Sequence, residues 1–132
     1  MSEYCFQVTI KKSQCDLLGH VNNAAYLKIY EKARWDMLAA NGYGVDTVEK
    51  LGKGPVILEA KVKYIKEIFA GEKILVKTQI PAPIKKITRI KQAIYRGAEL
   101  CSTVEIKWAY FDLKKRKIMI PTKAWLKGLG QL

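Results

Sequence analysis

At 132 residues the chain has the usual size of one domain, large enough to bury an apolar core without disulfides. Hydrophobic residues make up 49% and charged residues 27%, an ordinary globular mixture, and no apolar run reaches the roughly 18 residues that a membrane span requires. Its 24 Lys and Arg against 12 Asp and Glu give a net charge of +12, a field that attracts phosphate-bearing partners without choosing among nucleic acid, acidic membrane and phosphorylated cofactor.

The first six residues lack a basic segment followed by an apolar one, so no secretory signal is read there and a cytoplasmic setting is expected. Cys5, Cys15 and Cys101 are odd in number and lack CxxC spacing, which predicts reduced thiols and no zinc site. In residues 4–10, Tyr4, Phe6, Val8 and Ile10 alternate with polar or small side chains, the period of a strand with one buried face. Residues 23–41 carry the one strong helical period, with Tyr26, Ile29, Tyr30, Ala33, Met37 and Ala40 on one side and Lys28, Glu31, Lys32 and Trp35 opposite, ended by Gly42. A short helical turn is predicted over residues 46–51 with Asp46 as its N-cap.

The period of two returns at Leu58, Ala60, Val62 and Tyr64, at Ile74, Val76, Thr78 and Ile80, and from Leu100 through Trp108 to Tyr110. A noisier strand covers residues 84–95, and a short last one lies near residues 117–120, stopped by Pro121. Turns at 70–72, 81–83 and 96–98 are too short for parallel crossovers, so the sheet is expected to be antiparallel and meander-like. One strand, one long helix and about five further strands predict a single α+β domain over residues 1–132, a sheet curled around one helix, whose free edges favour an oligomer.

The loop between the first strand and the helix gathers an acid (Asp16), a glycine (Gly19), the only histidine (His20) and two carboxamides (Asn22, Asn23). Backbone N–H groups at a helix start lack partners and point outward with the positive end of the dipole, a place where an oxyanion can be held. Asp16 beside such a site has the geometry of acyl transfer, as nucleophile on a carbonyl or as general base. The alternative for Asp16 is a turn residue or a dipole-favoured anion. His20 is read as ordering the loop, with proton transfer the alternative. Asn22 and Asn23 suit helix capping as well as substrate contact, Tyr26 heads the apolar stripe, and Glu31 is a second carboxylate on the solvated face. Glu59 is read as solvent-facing. No GxSxG, HExxH, GxGxxG or GxxxxGK[ST] pattern occurs.

The run Asp16-x-x-Gly19-His20-Val21-Asn22-Asn23-x-x-Tyr26-x-x-x-x-Glu31-x-x-Arg34 closely resembles the signature of the 4-hydroxybenzoyl-CoA thioesterase-like hotdog proteins, and residues 64–72 resemble, more weakly, that family's strand-turn-strand after the helix. The resemblance implies a hotdog fold, in which a curled antiparallel β-sheet wraps one long central α-helix, paired as a homodimer or homotetramer. It implies hydrolysis of acyl-CoA with no cofactor and no metal, CoA being part of the substrate. Asp16 maps onto the catalytic carboxylate, and the amide near Asn23 onto the group that polarises the thioester carbonyl. Beside these, His20 is kept as a catalytic candidate, and Gly19, Asn22 and Tyr26 are expected substrate contacts. Glu67 stands where many members carry proline and is expected to lie away from the reacting loop.

Residues 61–96 hold ten basic and two acidic residues, and Lys85, Lys86 and Arg89 are the contacts expected, by charge, for the CoA phosphates. An acidic acyl carrier protein delivering the thioester is the alternative partner for the same field. A non-catalytic basic module binding nucleic acid through Trp35, Trp108 and Trp125 is the third reading, with thinner support, because the basic residues are spread over strands.

Overall fold

The computed structural model describes residues 3–131. It contains a six-stranded antiparallel sheet and three α-helices: β1 (Glu3–Thr9), α1 (Asn23–Ala40), α2 (Val45–Leu51), β2 (Lys53–Tyr64), β3 (Lys73–Gln79), β4 (Ile87–Arg96), β5 (Glu99–Asp112), β6 (Lys117–Met119) and α3 (Lys123–Gly128). The alternation of apolar residues produces the strands as expected. Ile74, Val76, Thr78 and Ile80 are buried, as are Ile90, Gln92 and Ile94 of β4 and Val104, Ile106 and Trp108 of β5. Lys77, Arg89, Lys91 and Lys107 occupy the intervening positions on the outer face.

The strand order is β1-β3-β4-β5-β2, with β6 also pairing β5. The expected meander therefore holds from β3 through β6 but not for β1 and β2. β2 pairs with β5, from Lys53↔Asp112 to Tyr64↔Ser102, at the opposite edge from β1. Residues 65–72 must then cross from one side of the sheet to the other, and this crossing passes beneath the loop before α1. A bulge at Leu58 shifts the register between Ile57 and Glu59. Leu58, Ala60 and Tyr64, expected to be buried, are exposed, because an edge strand has no neighbour to cover its far side. Pro55 is accommodated on the same edge.

α1 is the longest helix, 18 residues. Its buried face is Tyr26, Ile29, Tyr30, Ala33, Arg34, Met37 and Leu38. Ala40 is exposed, against expectation, and Leu38 takes its place because the last turn of α1 faces α3. Arg34 is buried by a polar network: its Nη1 donates to Gln92 Oε1 (2.9 Å), and Gln92 Nε2 donates to the Tyr30 carbonyl (3.1 Å) and Thr78 Oγ1 (3.0 Å). Desolvation pushes the guanidinium down to about 10, partly offset by the Glu31 charge.

The single filling helix is a simplification that the structure corrects. α3, capped by Thr122 Oγ1, inserts Trp125 among Tyr43, Trp108 and Tyr110, stacking on Tyr110 with centroids 4.8 Å apart. α2 starts from Gly44, not from an Asp46 cap, and ends at Gly52, whose φ of 68° suits glycine.

Candidate active site

The loop before α1 is a short hairpin built by its own backbone. Cys15 and Val21 form an antiparallel bridge, the Asp16 N–H donates to the His20 carbonyl (3.0 Å), and the Gly19 N–H donates back to the Asp16 carbonyl (3.0 Å). Gly19 closes the turn at φ +88°, a conformation that a side chain disfavours. The hairpin is pinned to the crossing segment, where the Val21 N–H donates to the Ile68 carbonyl (2.9 Å) and His20 bridges Phe69. Two residues back from Phe69, on the same side, stands Glu67. Its Oε1 lies 2.9 Å from His20 Nδ1.

Asp16 divides its carboxylate between two tasks. Oδ1 accepts the Leu18 N–H (2.8 Å), the local turn foreseen for this residue type, while Oδ2 lies 3.7 Å from His20 Nε2. The imidazole therefore has a carboxylate on each ring nitrogen. The side chains of Asp16 and His20 are 29% and 26% exposed, whereas that of Glu67 is 65% exposed. The acids lie on either side of the ring, and among the described residues no three His, Cys, Asp or Glu side chains converge as a metal-ligand set.

The start of α1 faces the same space. Asn22 caps the helix, its Oδ1 accepting the Ala24 N–H (2.8 Å) and its carbonyl accepting the Ala25 N–H (2.9 Å). Among the described residues the Asn23 N–H, the first of the helix and next before these two, has no acceptor. A cavity of about 260 Å³ is lined by Asp16, His20, Asn23, Tyr26, Tyr64 and Glu67, with Lys66 at its side. Tyr26 and Tyr64 meet edge to face, centroids 4.9 Å apart, and Tyr64 Oη donates to the Asn23 carbonyl (3.2 Å). Burial raises the Tyr26 hydroxyl above its ordinary value, so it remains a neutral donor.

Asp16, His20, Asn23 and Tyr26 are thus brought to one cavity, whereas Gly19 and Asn22, expected as substrate contacts, do not line it and serve instead as the hairpin turn and the α1 cap. Lys85, Lys86 and Arg89 are not. Arg89 is ion-paired with Glu105 (2.8 Å), and β4 runs so that all three lie towards the end of the sheet opposite Tyr64. The basic group nearest the cavity is Lys66. Arg96 braces its wall, donating to the Glu67 carbonyl (2.7 Å) and Glu72 Oε1 (2.9 Å) while also pairing with Glu99. Glu67 corrects its expected remoteness: it touches His20. The sequence signal was one of two acids in the crossing segment, Glu67 and Glu72, but nothing local revealed which loop the crossing would meet.

A larger concavity, about 320 Å³, opens on the outer sheet face beside Lys61, Lys63, Lys77 and Lys91, and neither Asp16 nor His20 lines it.

Residues 10–127 match the family model of the thioesterase-like superfamily. A chloroplastic acyl-acyl carrier protein thioesterase of Arabidopsis thaliana is 26% identical over 125 residues, which covers 92% of this chain and 66% of that protein, just under two thirds of its length. Three solved structures share the fold. A 1,4-dihydroxy-2-naphthoyl-CoA thioesterase from Synechocystis superposes with a TM-score of 0.88 at 15% identity, covering 99% of this chain and 98% of that one. A DHNA-CoA thioesterase from Staphylococcus aureus gives 0.83 at 23%, covering 91% and 81%. A hypothetical Staphylococcus aureus protein in complex with CoA gives 0.88 at 17%, covering 98% and 82%.

Proposed function

The chain belongs to the thioesterase-like superfamily, and from that premise we propose that it hydrolyses the thioester of an acyl-CoA to free acid and CoA, residues 1–132 acting as one domain of the 4-hydroxybenzoyl-CoA thioesterase-like, hotdog layout with α1 as its central helix. The observation that carries this reading is the pairing, across one cavity, of the Asp16 carboxylate with the unpartnered Asn23 amide at the helix start. Asp16 acts on the carbonyl carbon, directly as nucleophile or through water as general base, while the Asn23 N–H receives the charge that develops on the carbonyl oxygen. CoA enters as part of the substrate, and the reading uses no further cofactor. The free thiols Cys5, Cys15 and Cys101 suit a reducing compartment such as the cytoplasm.

Two copies paired antiparallel along the β2 edge complete this picture. Such pairing places the Tyr64 end of one sheet beside the Lys53 end of the other. Lys85, Lys86 and Arg89, distant from Asp16 within one chain, then serve the CoA phosphates at the second copy's cavity.

The test is a panel of acyl-CoA substrates assayed with a thiol reagent. The parent chain is expected to release thiol, and Asp16→Asn to lose roughly 100-fold or more in kcat with its circular dichroism unchanged. Near-parental rates in that variant would overturn the assignment. A second reading is favoured by the Arabidopsis relative and by the +12 charge: delivery of the thioester by an acidic acyl carrier protein. Comparing kcat/KM for one acyl group on the two carriers decides between them.

A further inference from the structure

We propose that Glu67 is a positioning residue that acts through His20, and that His20 Nε2 supplies the proton to the departing sulfur. The inference rests on the hydrolysis reading above. Glu67 Oε1 lies 2.9 Å from Nδ1, so the proton on that nitrogen is held by a carboxylate and the ring is fixed with Nε2 towards Asp16 Oδ2, 3.7 Å away. Asp16 Oδ1 is already occupied by the Leu18 N–H, which leaves Oδ2 for water.

The steps balance without a further reactant. A water O–H bond breaks, its proton passing to Asp16 Oδ2, as the water oxygen bonds to the carbonyl carbon. The C–S bond breaks, and its electron pair leaves on sulfur, which takes the Nε2 proton of the imidazolium. The proton on Asp16 then crosses to Nε2, restoring both groups. The ring that has given up its Nε2 proton must stay in the Nδ1–H form to accept the next one, and Glu67 selects that form.

The charged and titratable groups facing this pair are Asp16 on the hairpin, Lys66 on the crossing segment, Tyr26 on α1 and Tyr64 on β2, with Arg96 of β4 bonded to the Glu67 carbonyl.

His20 is the only histidine, which makes its ring nitrogens directly assignable by 15N NMR. The parent is expected to show the Nδ1–H tautomer once neutral. Glu67→Ala should lose that preference and lower kcat roughly ten-fold with little change in KM. Glu67→Gln keeps an acceptor oxygen without the charge, so it should restore both the tautomer and kcat. In a His20→Ala background, Glu67→Ala should cost nothing further. The proposal is overturned if Glu67→Ala keeps the parental tautomer and kcat, or if it lowers kcat by the same factor with and without His20. Loss of the hydrolysis reading shows separately, as activity surviving in Asp16→Asn, and the NMR result stands apart from turnover.

Discussion

Asn22 joins the hairpin to α1. Its N–H donates to the Gln14 carbonyl (2.8 Å) while its side chain accepts the Ala24 N–H (2.8 Å), so a single residue ends one element and caps the next. Its preference for a cap could be read directly, because a short side-chain oxygen satisfies a helix N–H whatever the fold. Asn22→Ala is expected to cost about 1 kcal/mol in chemical denaturation, and an unchanged midpoint would show that water replaces the cap fully. Glu67 is the contrasting case. Its partner lies 47 positions away, and no property of residues 64–72 taken alone names that partner.

The elements carry their own test at the far end of the sheet. Trp125, placed by the short helix α3, touches Tyr43, Trp108 and Tyr110, and pairs of this kind contribute about 0.5–1.5 kcal/mol each beyond the area they bury. Gly128 ends this helix, buried against α1 and Tyr43. A Cβ there would stand 2.8 Å from Tyr43 Cβ, too close for either backbone to keep its place. Gly128→Ala is therefore expected to destabilise by about 1–3 kcal/mol, read as a lower thermal midpoint, with the Asp16 cavity at the other end unaffected. α3 went unpredicted because six residues carry too little periodicity to separate from loop.

At the scale of the molecule, the edge formed by β2 leaves Ile57 43%, Leu58 45%, Tyr64 52% and Ile65 46% exposed, an apolar rim beside unpaired backbone groups. Under the proposed pairing, sedimentation should show a dimer, and Ile57→Lys should shift it to monomer without unfolding, since the side chain is already half in solvent. Activity should fall with dissociation if a second copy's Lys85, Lys86 and Arg89 serve the cavity. A monomeric parent with full activity would refute that arrangement.

The strands, the helix with its start and the polar loop before it were legible because each follows from neighbours in sequence: alternation of period two, a 3.6-residue stripe, a capping side chain and the clustering of Asp16, Gly19, His20, Asn22 and Asn23. Residues 16–26 carry the first part of the resemblance and about half of the cavity lining within one short stretch of chain. The position of β2, the burial of Arg34 against Gln92 and the meeting of Glu67 with His20 were decided only by the tertiary structure. Each depends on which distant segment lies alongside, and that choice is made by backbone pairing and apolar burial summed over the whole chain, which no local pattern records.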